Sequence, residues 1–192
     1  MKELQDYSGS FDPNLKLEDL SKDAVIRLCV ANSKCFIAMA RLWYDLVRER
    51  LGEEIARQMD LEIWGNRALP MEAASVCEAL NIHGDDVATL FKLFQTQPGF
   101  GSGSSDLFKI EYELKNPKHG ICIVNYCFGV EQSEKYGMMD TLRLVCEEID
   151  QVGFEAAAHF FNPKMTVTAL KLPHRKNPDY EVPHCVWEYR IP

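Results

Sequence analysis

Between Ser21 and Gly52 apolar residues recur at helical spacing, through Val25, Leu28, Cys29, Phe36, Met39, Leu42, Trp43, Leu46 and Val47. Ser21 suits an N-cap and Gly52 a stop, so the pattern predicts one helix of about 29 residues, roughly 43 Å long. Its polar positions Arg27, Lys34, Arg41 and Arg48 recur every seven residues as one narrow stripe. A helix apolar over most of its circumference is expected at the centre of a fold. The basic stripe is expected at a solvated edge rather than as an anion-binding face.

A second helix is predicted through Ile55, Met59 and Ile63-Trp64. A third opens at Pro70, whose missing N–H costs nothing in a first turn, and carries Met71, Ala74, Cys77 and Leu80. Asp85-Asp86 start a fourth, with Val87, Leu90, Phe91 and Phe94 along one side. The stretch from Gln97 to Ser105 is rich in Gly and Ser. A phosphate-cradling loop would follow a strand and open a helix, whereas here a helix precedes and a strand follows, so the stretch reads as a connector.

After the connector the period changes to two. Phe108, Ile110, Tyr112 and Leu114 alternate with Lys109, Glu111 and Glu113, the mark of an antiparallel strand with one wet face. Asn116 to Gly120 is a turn, and Ile121 to Tyr126 its hairpin partner. A short helix from Val130 to Tyr136 ends at Gly137, and Asp140 caps a longer one that runs to Phe161 before Asn162-Pro163. Two further strands, Met165 to Leu172 and Cys185 to Ile191, flank a loop holding Pro173, Pro178 and Pro183. The predicted organisation is an extended arm (1–17), a helical half (18–96), the connector (97–105) and an α+β half (106–192). The fold class is α+β, a helical half packed with a four-stranded antiparallel sheet that carries one long helix.

The 192 residues carry 29 acidic against 21 basic side chains, a net charge of −8. That field repels phosphate backbones, so nucleic acid is not an expected partner. No apolar run approaches the roughly 20 residues of a membrane span. The opening Met1 to Asp6 lacks the charged-then-apolar pattern of a signal, so a cytoplasmic location is expected.

Seven cysteines, an odd number, in such a chain argue for thiols, a metal site or catalysis rather than a disulfide framework. No Cys-x-x-Cys occurs. Cys29, Cys35 and Cys77 fall on apolar helix faces and are expected to be small core hydrophobes. Cys127 ends the second strand, and Glu131 returns over it one helical turn later. Cys146 shares the buried stripe of the long helix with Leu142, Ile149 and Val152. Cys185 shares the inner face of the last strand with Trp187, Tyr189 and Ile191. Cys127, Cys146, Cys185 and Glu131 are thus a candidate ligand set for tetrahedral zinc, against the plainer reading of separate core thiols. Cys122, five residues from Cys127, would face the other way in a straight strand and is left out. His184 alternates away from Cys185, and His159 is the better base for Cys146 or Cys127.

The run Cys127, Gly137, Cys146-Glu147-Glu148-Ile149-Asp150, Asn162-Pro163 and Cys185-Val186-Trp187-Glu188-Tyr189-Arg190 resembles the L-2-amino-thiazoline-4-carboxylic acid hydrolase-like family over the last third of the chain. Tyr7-Ser8-Gly9 and Leu170 to Pro173 extend the likeness, over nearly the whole chain, to a related uncharacterised group of prokaryotic cytosolic proteins. The resemblance matches Cys127, Cys146 and Cys185 to recurring cysteines and Asp150 to an acidic position. The terminal strand departs from the family pattern at Val186 to Tyr189. The helices-on-sheet arrangement is also similar, at the level of fold, to vinyl-reductase-type small-ligand-binding domains.

Two functions follow as expectations. One is a cytosolic binding protein that takes a small molecule or a metal ion at the cysteine cluster. The other is a hydrolase opening a small cyclic C–N bond, in which the Cys146 thiolate or a metal-bound water attacks while Glu131 or Asp150 moves protons. A third class, an interaction module, makes a homodimer through the long helix a candidate assembly.

Overall fold

The structure, a computed structural model, describes residues 3–104, 106–173, 175 and 181–192. His174, Lys176 and Pro178 of the basic loop lie outside the described residues. The chain is α+β, a helical half followed by a four-stranded antiparallel sheet. Helices α1 (Lys22–Leu51), α2 (Glu53–Glu62), α3 (Leu69–Leu80) and α4 (Val87–Phe94) come first. Strands β1 (Phe108–Asn116) and β2 (His119–Cys127) precede α5 (Phe128–Lys135), α6 (Met139–Arg143) and α7 (Asp150–Phe161). Strands β3 (Thr166–Lys171) and β4 (Cys185–Arg190) close the chain. The sheet order is β1-β2-β4-β3, all neighbours antiparallel.

Ser21 caps α1 as expected, its hydroxyl accepting the Ala24 N–H at 3.2 Å, and Gly52 ends it at φ 91°. The helix is not central, however. Of its side chains only Ala24, Ser33, Tyr44 and Val47 are buried, while Met39, Leu42, Trp43 and Leu46 are exposed. Cys29 and Cys35, expected in the core, are exposed as well, whereas Cys77 is buried. Apolar content alone does not say which side of a helix has a partner in its own chain.

α2 and α3 are one continuous helix interrupted by a π-turn over Ile63–Ala68. A proline in a regular helix crowds the carbonyl four residues back, and the widened turn just before Pro70 gives that clash room. A second π-turn, Leu144–Ile149, joins α6 to α7, and it contains Cys146. Met138, not Asp140, occupies the cap position of this helix.

The connector is packed rather than free. Pro98–Gly103 forms a 3₁₀ turn against α1, Phe100 is buried, and the Gly99 N–H donates to Glu72 Oε1 at 2.8 Å. The core lies between α3, α4 and α7 and the inner face of the sheet. Phe154 meets Trp187 edge-on at 4.8 Å, and Phe91 meets Tyr189 edge-on at 5.6 Å. Gly120 faces Tyr189 across β2 and β4, and a Cβ there would sit 2.6 Å from the Phe91 ring.

Candidate functional site

The inner face of β4 carries Cys185, Trp187 and Tyr189, with Trp187 and Tyr189 fully buried, as the alternation predicts. β2 contributes more than its alternation predicts. Lys109 pairs with Tyr126 but Ile110 pairs with Val124, so Asn125 is an extra residue, a β-bulge. The bulge reverses the alternation beyond it. Cys122, Val124 and Cys127 therefore face one side, opposite Tyr112, Ile110 and Phe108, and Cys122 is fully buried. The exclusion of Cys122 held only for a straight strand.

The π-turn aims Cys146 at the same space. Its thiol is pushed far up by burial, then by the charges of Asp150, Cys127 and Cys185, and Cys127 packs against the cluster of Val130, Leu142 and Cys146. Cys185 is raised by burial and also senses Asp150, Cys127 and Cys122. Cys127 is pushed up to about 11 by burial, while the amides of Val130 and Gly129, in the first turn of α5, aim at its sulfur and pull the other way. A helix N-terminus favours the thiolate. Burial raises both Cys127 and Cys146, the residue expected as a nucleophile, and of the two only Cys127 has helix amides that pull it back.

Asp150, one residue beyond the π-turn, is pushed up to about 7 by burial alone. Among the described residues its carboxyl has no hydrogen bond and no ion pair. A carboxyl withdrawn from water without a partner is costly. Asp150, Cys127 and Cys185 are half-buried, at the edge of the core rather than sealed within it. The Tyr189 hydroxyl, buried and without a hydrogen-bond partner among the described residues, senses Cys122 and Cys185 before Asp150.

Glu131 does not join the thiols. Its carboxylate accepts from Arg175 Nη2 at 2.9 Å and stands 3.2 Å from His184 Nε2. Arg175, with only 2% of its side chain exposed, also binds Glu134. His184 Nδ1 accepts the Cys127 N–H at 3.1 Å, and its Nε2 stands 2.9 Å from Arg175 Nη1 and 3.2 Å from Glu131 Oε1. Burial and the neighbouring Arg175 hold His184 below its ordinary pKa, so it is neutral at pH 7. The expected role of Glu131 as ligand or proton carrier is replaced by that of an ion-pair partner. His159 donates to or accepts no thiol; its Nε2 bonds the Met165 carbonyl at 3.1 Å.

Among the described residues no group of three or more His, Cys, Asp or Glu is placed to hold a metal ion. The thiols and Asp150 share a space, but Glu131 is turned away, and the set does not fit the tetrahedral zinc site expected of Cys127, Glu131, Cys146 and Cys185. Sequence reasoning missed Cys122, His184 and Arg175. The bulge and the π-turn leave no local signal, and Arg175 reaches partners 41 and 44 residues away. No helix among the described residues is long and apolar enough to cross a membrane. Comparison with protein-family models, with curated proteins and with solved structures gave no match.

Proposed function

We propose that this protein binds a small organic ligand at the cluster of Cys127, Cys146, Asp150 and Cys185, and that the ligand is a nitrogen base held as a cation by Asp150. The observation that carries the reading is the half-buried Asp150 carboxyl, which has no hydrogen bond or ion pair among the described residues and is pushed up to about 7 by desolvation. A cationic ligand supplies the missing positive charge and recovers the cost of burying the carboxylate. Three soft, weakly polar thiols suit a flat or sulfur-containing body.

The test is calorimetric titration with 2-amino-2-thiazoline, a small cyclic cation of this class. One-site binding to the wild type that Asp150→Asn abolishes supports the reading. Absence of binding, or equal binding to the variant, rejects it.

A second reading, hydrolysis of such a ring, is favoured by one observation, the Cys127 sulfur at the N-terminus of α5 beside Asp150. There the Cys127 sulfur would add to the carbon between nitrogen and sulfur while its proton passes to the Asp150 carboxylate; the ring C–S bond would then break, its sulfur taking that proton, and water would cleave the bond between Cys127 and that carbon to free the enzyme and a thiol-bearing urea. Time-dependent appearance of new thiol in the titration mixture separates turnover from binding.

A further inference from the structure

The exposed side of α1 has a repeat that its buried side does not need. Val25, Leu28, Asn32, Cys35, Met39, Leu42 and Leu46 are spaced by alternating steps of three and four. These are the a and d positions of three heptads, about 33 Å of helix. Met39 is 65% exposed and Leu42 63% exposed, while Ser33, Tyr44 and Val47 bury the opposite side on the rest of the chain. The described residues of the N-terminal arm leave this seam exposed. The arm is tied to the start of α1 through Gln5, which meets Ser21 and Arg27.

We infer that this face docks on α1 of a second copy of the chain, in parallel, as a two-stranded coiled coil about a two-fold axis. A seam of alternating three and four spacing is filled by another helix with the same spacing, because each side chain enters a hole between four residues of its partner. Asn32 fixes the direction. In a parallel pair a faces a, so the two Asn32 amides meet and satisfy each other. In the antiparallel pair that aligns the seams, Asn32 faces Leu42 and its amide is buried unpaired, which costs free energy. Flanking charges agree with the parallel register. Asp45 lies at a g position, and the residue five further on in the second copy, Arg50, lies at the matching e position with the opposite charge. Ala31 and Ala38, also at g, are exposed and small enough to let the helices approach. The same register sets Cys35 opposite Cys35.

The test combines solution mass with cross-linking of the full chain. Light scattering on the wild type is expected to give twice the 22.0 kDa chain mass, and Leu42→Glu, at an exposed position, is expected to give the single chain with a cooperative unfolding transition whose midpoint no longer depends on protein concentration. Mild oxidation of Cys29→Ser is expected to link two chains through Cys35, a readout that holds even where Leu42→Glu fails to fold. A wild-type monomer at every concentration, or a Leu42→Glu dimer, overturns the inference. Failure of Cys35 to cross-link, with linkage instead between Cys35 and a cysteine placed at Met39, overturns the parallel register.

Discussion

His184 Nδ1 accepts the backbone N–H of Cys127 at 3.1 Å, while the His184 N–H donates to the Val124 carbonyl at 2.7 Å. The two bonds straddle the bulge at Asn125 and lock the entry of β4 onto the end of β2. Cys185 and Cys127 are held on one face by this clasp. The neutral imidazole is part of it, since a protonated ring would have no lone pair for the Cys127 N–H.

Replacing His184 by Phe keeps the ring volume but leaves the buried Cys127 N–H without an acceptor. The expected cost is about 1–3 kcal/mol, read by urea unfolding. The variant is also expected to expose Cys127, measured as faster alkylation by mass spectrometry.

Arg175 is the only described cation seen binding both Glu131 and Glu134, and its side chain is almost wholly buried. Removing one member of a buried ion pair strands the other, so Arg175→Met is expected to destabilise the fold by about 3 kcal/mol.

Asp150 gives a pH dependence whose sign is fixed. In the folded chain it titrates near 7, against about 3.9 when unfolded. Between those values the folded state holds a proton that the unfolded state releases. The corresponding stability is full at low pH and is lost as pH rises to about 7, at up to about 1.4 kcal/mol per pH unit. Asp150→Asn removes the dependence. The variant is expected to match the wild type at about pH 4 and to exceed it at about pH 8, in paired urea titrations.

The thiols are expected to fall into two groups. Cys29, exposed and outside the a and d seam of α1, should react at once with iodoacetamide at neutral pH, with Cys35, exposed in the single chain, slowed where two chains pair. Cys122, pushed up to about 12, and Cys146 should react only on unfolding, with Cys127 the first of the inner thiols to be modified. Peptide mapping over time checks the order.

The alternation of β1 and β4 was legible because side-chain period two follows from strand geometry alone. The caps of α1 were legible because Ser21 and Gly52 satisfy local backbone needs. Cys146 and Cys185 could be placed inward on the same grounds. The grouping of Cys122 with Cys127 was not, since it depends on one unpaired residue, Asn125, whose effect appears only against β1. The binding of Glu131 by Arg175 was not legible either, because it is set by where a distant loop returns. The exposure of α1 was misread for a related reason. Its apolar residues serve two sides, and only packing shows which side its own chain covers.

The most direct measurement is the ¹³C NMR titration of the Asp150 carboxyl, with and without saturating 2-amino-2-thiazoline. The account predicts a midpoint near 7 in the free protein, and a midpoint lowered well below that when the cation binds beside the carboxylate. A free-protein midpoint in the ordinary carboxylate range, or one that the cation leaves unmoved, would contradict it.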